Sequence, residues 1–372
     1  MTKRLGFFTR LLPAAPDFDR DAGVVYRTAL EQFAAAERLG YDVGWVAQHH
    51  FDPDEGGLPS PFVFLAAVAA GTRRIRLGTG IITLPLEDPV RVAEDAVVAD
   101  LLSGGRIELG LGSGGSPSSF TAFGKDSAAR SSLYATGLQE LLDVLAGRPI
   151  RGTGAVLHPT GSAVRQHIWQ ATFSASGGTR AGVFGSGLLL SRTQPRTEDA
   201  PHATLTQLQQ PIVDAYLAAL PAGAEPRIGA SRSVLVGRNA ERVLELARVG
   251  VRRHASYLAA KGQSIPVPDN GSVEDADALL AANDLIVGTP EQVIEALSAD
   301  PVVTGASDLM FQVHPADPDP DTVLESLELL ATEVAPALGW RPGGAGDAAG
   351  EAAAGEAAAA AAVRAASGAS SR

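Results

Sequence analysis

Between Arg4 and Val313 the sequence alternates short apolar runs with amphipathic stretches, and that rhythm restricts the fold more than any other feature. The runs are Arg4–Thr9, Val43–Gln48, Ile75–Ile82, Ile107–Gly112, Ile168–Phe173, Gly187–Ser191, Ile228–Val236 and Asp308–Val313, eight in all. Each has strand length and ends near turn-forming residues. In the stretch Val24–Leu39, Val25, Ala29, Phe33 and Ala36 fall on one helical face. Arg91–Leu102, Ser131–Leu145, Ala203–Leu220 and Arg238–Leu258 read as helices in the same way. Thr289-Pro290-Glu291-Gln292 is a capping box with proline at the first helical position. Strands that alternate with helices pair in parallel and need helices over the sheet. Eight such units predict closure into a single-domain β/α (TIM) barrel over residues 1–340.

Beyond Trp340 the composition falls to Gly, Ala and Ser with a few charges, so residues 341–372 read as a disordered, low-complexity tail. The net charge of −12 argues against broad nucleic-acid binding, which needs a basic face to displace counterions. No apolar run reaches the roughly eighteen residues of a membrane span. The basic start lacks a signal-peptide core, and a cytoplasmic address is expected. With no cysteine, the chain has neither a thiolate nucleophile nor a sulfur ligand for a metal.

In β/α barrels the chemistry gathers at the C-terminal ends of the strands, and four motifs stand there. Gln48-His49-His50-Phe51-Asp52 follows the second run. Imidazoles in that place suit proton transfer, or they simply hold the loop. A metal site with Asp52 and Asp54 is disfavoured, because neighbouring residues on a strand point to opposite sides. Leu77-Gly78-Thr79-Gly80-Ile81 carries glycines inside a strand, marking either close packing or a ligand's approach. Gly110-Leu111-Gly112-Ser113-Gly114-Gly115-Ser116 has dinucleotide-fingerprint spacing. No helix opens within its glycines, so a plain loop and a loop over a flat ligand both stand. Phe173-Ser174-Ala175-Ser176-Gly177-Gly178 precedes a helix, where hydroxyls and free N–H groups serve either as an ordinary cap or as a phosphate cradle.

In this order, and together with Asp88-Pro89-Val90-Arg91, Ser103-Gly104-Gly105-Arg106, Phe123-Gly124 and Val287-Gly288-Thr289-Pro290-Glu291, these motifs resemble the bacterial-luciferase family of flavin-dependent monooxygenases over nearly all of residues 1–340. The resemblance implies reduced FMN as cofactor, dioxygen and a small organic substrate as partners, and a separate flavin reductase as the source of electrons. A homodimer is the assembly it suggests. His49 matches the family's active-site histidine, with His50 or Gln48 as its orienting neighbour. Gly80–Ile81 matches a cis peptide against the flavin ring. Ser174, Ser176 and Gly177 fall at the phosphate, with Phe173 contributing backbone, and Ser113, Gly115 and Ser116 match the flanking loop.

Two departures stand out. Gln48 replaces a frequent glutamate, and Ser113 stands where the luciferase α subunit has a phosphate-binding arginine, which leaves Arg180, or an arginine elsewhere, to neutralise the phosphate. The insertion His254–Asn283, with its middle Lys261–Asp277, matches a mobile lid. His314 ends the last run as a pocket residue or a surface histidine. Two alternatives stay open on the same fold: a deazaflavin-dependent dehydrogenase and a non-catalytic flavin-binding relative.

Overall fold

The strands of the computed structural model, which describes residues 3–12, 21–52, 54–160, 162–197, 199–260, 262, 275–313 and 318–340, all pair in parallel. In chain order they are β1 (Arg4–Thr9), β2 (Val43–Val46), β3 (Arg76–Thr79), β4 (Ile82–Thr83), β5 (Ile107–Gly112), β6 (Ile168–Ala171), β7 (Gly187–Leu190), β8 (Ile228–Val236), β9 (Leu285–Gly288) and β10 (Asp308–Gln312). The path β1-β2-β3-β5-β6-β7-β8-β10 closes on itself, since β10 pairs with both β8 (Asp308↔Gly229) and β1 (Arg4↔Asp308). It is an eight-stranded β/α barrel.

Three details depart from the sequence expectation. The run Ile75–Ile82 is split: β3 stops at Thr79, the Gly80–Ile81 peptide is cis, and pairing resumes when β4 joins β5 at Ile82↔Leu111. The strand β9 was not anticipated, because four residues are too short to show a period. It pairs with the far half of the nine-residue β8, from Ser233↔Leu285 to Val236↔Gly288. The helix Pro61–Gly71 also escapes a periodicity argument, because its residues are apolar on every side.

The insertion expected as a lid is helical at both described ends. His254 to Ala260 continue the helix Ala240–Ala260, and Ala276–Ala282 form another helix. Most of Lys261–Asp277, all of 341–372 and His314 lie outside the described residues.

The barrel interior is filled in layers. At the N-terminal end Glu108, fully buried, accepts from Arg4 (2.8 Å), Arg76 and the Trp169 indole (2.6 Å). Burial alone would raise the Glu108 carboxyl, but His167, Arg4 and Arg76 outweigh it and hold the group well below the carboxylate range. Asp308 pairs with Arg4 at 2.6 Å, yet burial pushes its carboxyl up to about 6.

Above this charged layer Trp45 and Trp169 meet edge to face at 5.8 Å, packed with Val43, Leu189 and Met310. Glycines make the room. A Cβ on Gly78 would lie 2.2 Å from the Trp45 ring, and one on Gly187 would lie 2.2 Å from that of Trp169. Phe8, Ile81 and Ala171 are half-buried against the same cluster and form its upper surface.

Gly78→Ala is therefore expected to cost roughly 1–3 kcal/mol, the usual range for overpacking a filled core. Gly71→Ala is the control, because nothing lies within 4 Å of its Cβ position. It should be neutral or slightly stabilising. Urea unfolding of both variants checks the pair.

Candidate active site

The strand ends bring two groups of polar residues to the mouth of the barrel. The first centres on His49, three residues past β2. Its backbone N–H donates to Leu58 O (3.0 Å), and its ring fits because Gly56 has no side chain: a Cβ there would lie 2.4 Å from Cδ2. Nδ1 faces the Glu55 carboxylate at 3.6 Å, with both side chains about three-quarters covered (22% and 25% exposed). Burial lowers the His49 pKa. Glu55 pulls the other way, while Arg10 and His50 add to the lowering, so the imidazole is neutral at pH 7. Glu55 itself is pushed up by burial, but contacts with His49, Arg10 and the Ser116 hydroxyl prevail and hold it below the usual range.

His50 does not share this pocket. Its ring is 8% exposed and packs edge-on against Phe123 (4.9 Å) and beside Phe51 (5.7 Å), with Nε2 buried and unpartnered. Burial lowers its pKa as well, against Glu87 and Glu55. Nor does Gln48 orient His49. Its Oε1 accepts from Thr83 N–H (2.7 Å) and its Nε2 donates to Glu87 (2.7 Å), tying β2 to the segment after β4. Their separate partners carry both corrections: Gln48 is taken up by Thr83 and Glu87 and His50 by the Phe123 and Phe51 rings, while His49 faces Glu55. The carboxylate that faces His49 is that of Glu55, a residue the sequence did not single out. One acid among Asp52, Asp54 and Glu55 carries no pattern that singles it out.

The second group follows β6. Ser174 caps the nine-residue helix Ala175–Val183, its hydroxyl accepting from Gly177 N–H (3.3 Å). The Ser174 hydroxyl also lies 3.1 Å from that of Ser176 and 3.4 Å from that of Thr172, which makes a cluster of three. Gly177 is required, because a Cβ would lie 1.9 Å from Thr172 Oγ1. The Phe173 carbonyl is taken by Gln194 (2.9 Å), and the ring is 54% exposed.

Arg180 does not reach the cluster. It donates to Gln170 (3.1 Å) and sits over the Tyr134 ring (4.8 Å), so the expected neutralisation of a phosphate by Arg180 is not what the structure provides. Thr172 is a hydroxyl that the sequence reading did not single out.

The loop after β5 contributes to both sides. β5 and β6 pair up to Leu111↔Gln170, so Ser113 and Thr172 leave neighbouring strands two residues further on. Gly115 is exposed with open space around it, whereas Ser116 bonds to Glu55 and lies 3.0 Å from Ser118. Gly110 and Gly112 are packing residues: a Cβ would lie 1.9 Å from Thr79 O at one and 2.9 Å from Ile81 at the other. Among the described residues no group of three His, Cys, Asp or Glu is placed to hold a metal ion, and no helix is long and apolar enough to cross a membrane.

Comparison with known proteins agrees with this architecture. The sequence profile of luciferase-like monooxygenases matches residues 7–307. Limonene 1,2-monooxygenase of Rhodococcus erythropolis is 28% identical over 335 residues, 86% of this chain and 83% of the relative. A monooxygenase from Streptomyces bottropensis superposes with a TM-score of 0.72 at 23% identity, covering 90% of this chain and 99% of its own.

The oxygenating constituent of 3,6-diketocamphane monooxygenase from Pseudomonas putida, solved in complex with FMN, gives 0.67 at 21% identity over 90% and 99% of the two chains. A tetrahydromethanopterin reductase from Methanopyrus kandleri, dependent on coenzyme F420, gives 0.61 at 17% identity over the same shares. The structural likenesses show the fold alone. The profile match shows the family: the chain belongs to the luciferase-like monooxygenases.

If Gln48 is a strut and not part of the proton-transfer group, Gln48→Met should leave the buried Thr83 N–H without an acceptor. The expected loss is about 1–3 kcal/mol of stability, read by chemical denaturation, with His49 titrating as in the parent protein.

Proposed function

From that family membership we propose a two-component monooxygenase that takes reduced FMN from a separate reductase and uses dioxygen to oxygenate a small organic substrate. The observation that carries the reading is the pairing of a half-buried apolar floor (Phe8, Ile81, Ala171) with a hydroxyl cluster at a helix N-terminus, both at the mouth where His49 stands. A flavin needs those two features, a flat apolar bed for its ring and N–H and O–H donors for its phosphate. The FMN found in the diketocamphane enzyme supports the same cofactor here.

In this reading Ser174, Ser176 and the Gly177 N–H hold the phosphate, with Thr172 beside them. Ser113, Gly115 and Ser116 flank it, and the Gly80–Ile81 peptide faces the ring. Reduced flavin, when bound, supplies the electrons that let dioxygen give one oxygen atom to the substrate and the other to water. His49 is the acid/base. Neutral at pH 7, it takes or returns a proton at Nε2 while Nδ1 faces Glu55. The apolar floor keeps water from below the reacting atoms. A coenzyme F420 dehydrogenase would bind that deazaflavin in preference to FMN and would turn over without dioxygen, so equilibrium binding of both cofactors and oxygen uptake separate the two activities.

His49→Ala should bind reduced FMN about as well as the parent, because the phosphate anchoring lies elsewhere. Its single-turnover oxygenation should be slower by ~100- to 10,000-fold, the usual worth of general acid–base help. An unchanged rate would make His49 a structural residue. Ser174→Asp keeps a good helix cap but sets a carboxylate against a dianion. It should weaken FMN binding tenfold or more, about 1.4 kcal/mol, and leave riboflavin binding unaltered. Equal losses for both ligands would move the phosphate elsewhere.

A further inference from the structure

We propose that Glu55 is the positioning residue of His49, fixing the neutral imidazole as the Nδ1–H tautomer so that Nε2 faces the pocket as a free proton acceptor. The inference deepens the reading of His49 as the acid/base and rests on it.

Glu55 is held in place from three elements. Its own loop turns tightly, with the N–H groups of Glu55 and Gly56 both donating to Asp52 O (3.2 Å each). Past the end of β1, the Arg10 guanidinium donates to the Glu55 backbone carbonyl. From the loop after β5, the Ser116 hydroxyl donates to the Glu55 carboxylate. The carboxylate reaches Nδ1 at 3.6 Å, an ion-pair distance a few tenths of an ångström longer than a hydrogen bond. The missing side chain at Gly56 lets the ring lie against this loop.

The other charged groups nearby are engaged elsewhere. Asp52 accepts from the Tyr257 hydroxyl (2.8 Å) and from Asp54 N–H (3.1 Å), and the charges of Glu55 and Asp54 both act on Tyr257. Arg10 and His50 are both felt by His49 and oppose its protonation. Glu55 is thus the carboxylate that acts on the imidazole.

A neutral histidine can carry its proton on either nitrogen, and the choice follows the hydrogen bond that one of them makes. A carboxylate accepts only, so it selects the proton at Nδ1. It also stabilises the imidazolium, partly offsetting the burial that lowers the His49 pKa. Removing its charge must therefore lower that pKa further.

The test uses the full-length, flavin-free protein with isotope-labelled histidine, the His49 signals being assigned from His49→Gln. The readout is independent of catalysis, so it can fail while the oxygenase reading stands, and the reverse. In the parent protein the Nδ1–H tautomer should dominate above the titration midpoint. Glu55→Gln should shift that midpoint to lower pH, and Glu55→Ala, which also removes the acceptor, should mix the two tautomers. Glu55→Asp should fall between the parent and Glu55→Ala. A dominant Nε2–H tautomer in the parent, or a midpoint unmoved or raised in Glu55→Gln, overturns the proposal. Should the variants fail to fold, the parent tautomer decides alone.

Discussion

The two indoles at the centre of the barrel, Trp45 and Trp169, set the geometry on which the rest depends. They come from β2 and β6, three strands apart in the closed order of eight, and they meet edge to face at 5.8 Å. Close-packed interiors do not tolerate overlap of even a fraction of an ångström, so rings this large fit only where the neighbouring strand is bare beside them. Gly78 and Gly187 supply that bareness. Gly78 reads from sequence, with Gly80, as a ligand's approach or as packing; the geometry makes Gly78 a packing residue. The apolar bed at the mouth therefore has a stiff support beneath it.

On that support the mouth presents two chemically distinct sides. One is titratable: His49, Glu55, Arg10 and Ser116 converge from the ends of β1 and β2 and the loop after β5. The other is a set of neutral donors, Thr172, Ser174 and Ser176, around a helix N-terminus. Ser113 in place of arginine and the inward turn of Arg180 leave this cradle to hydroxyls and backbone dipoles. Hydrogen bonds without a full counter-charge hold an anion less tightly than an arginine fork does.

The barrel was legible because eight apolar runs separated by amphipathic helices admit few other topologies. What stayed hidden had no period to reveal it. β9 is four residues long, and Pro61–Gly71 is apolar all round. Of the proposed site, the sequence could point only to residues whose type is rare and whose place in the fold is fixed, as with His49 and Ser174. The sequence could not show that Gln48 turns to Thr83 and Glu87, because strand alternation assigns faces only once the strand's register is known. Glu55 was hidden for a different reason. It reaches His49 through a loop whose conformation depends on Gly56 and on a guanidinium from another strand.

The ionic layer at the N-terminal end has a consequence for the opposite end. Arg4, Arg76, Glu108, Asp308 and the Trp169 N–H fill the barrel's base completely enough that Glu108 is fully buried. With the base filled in this way, the apolar floor formed by Phe8, Ile81 and Ala171 faces the strand-end mouth, on the same side as His49 and the Ser174 hydroxyl.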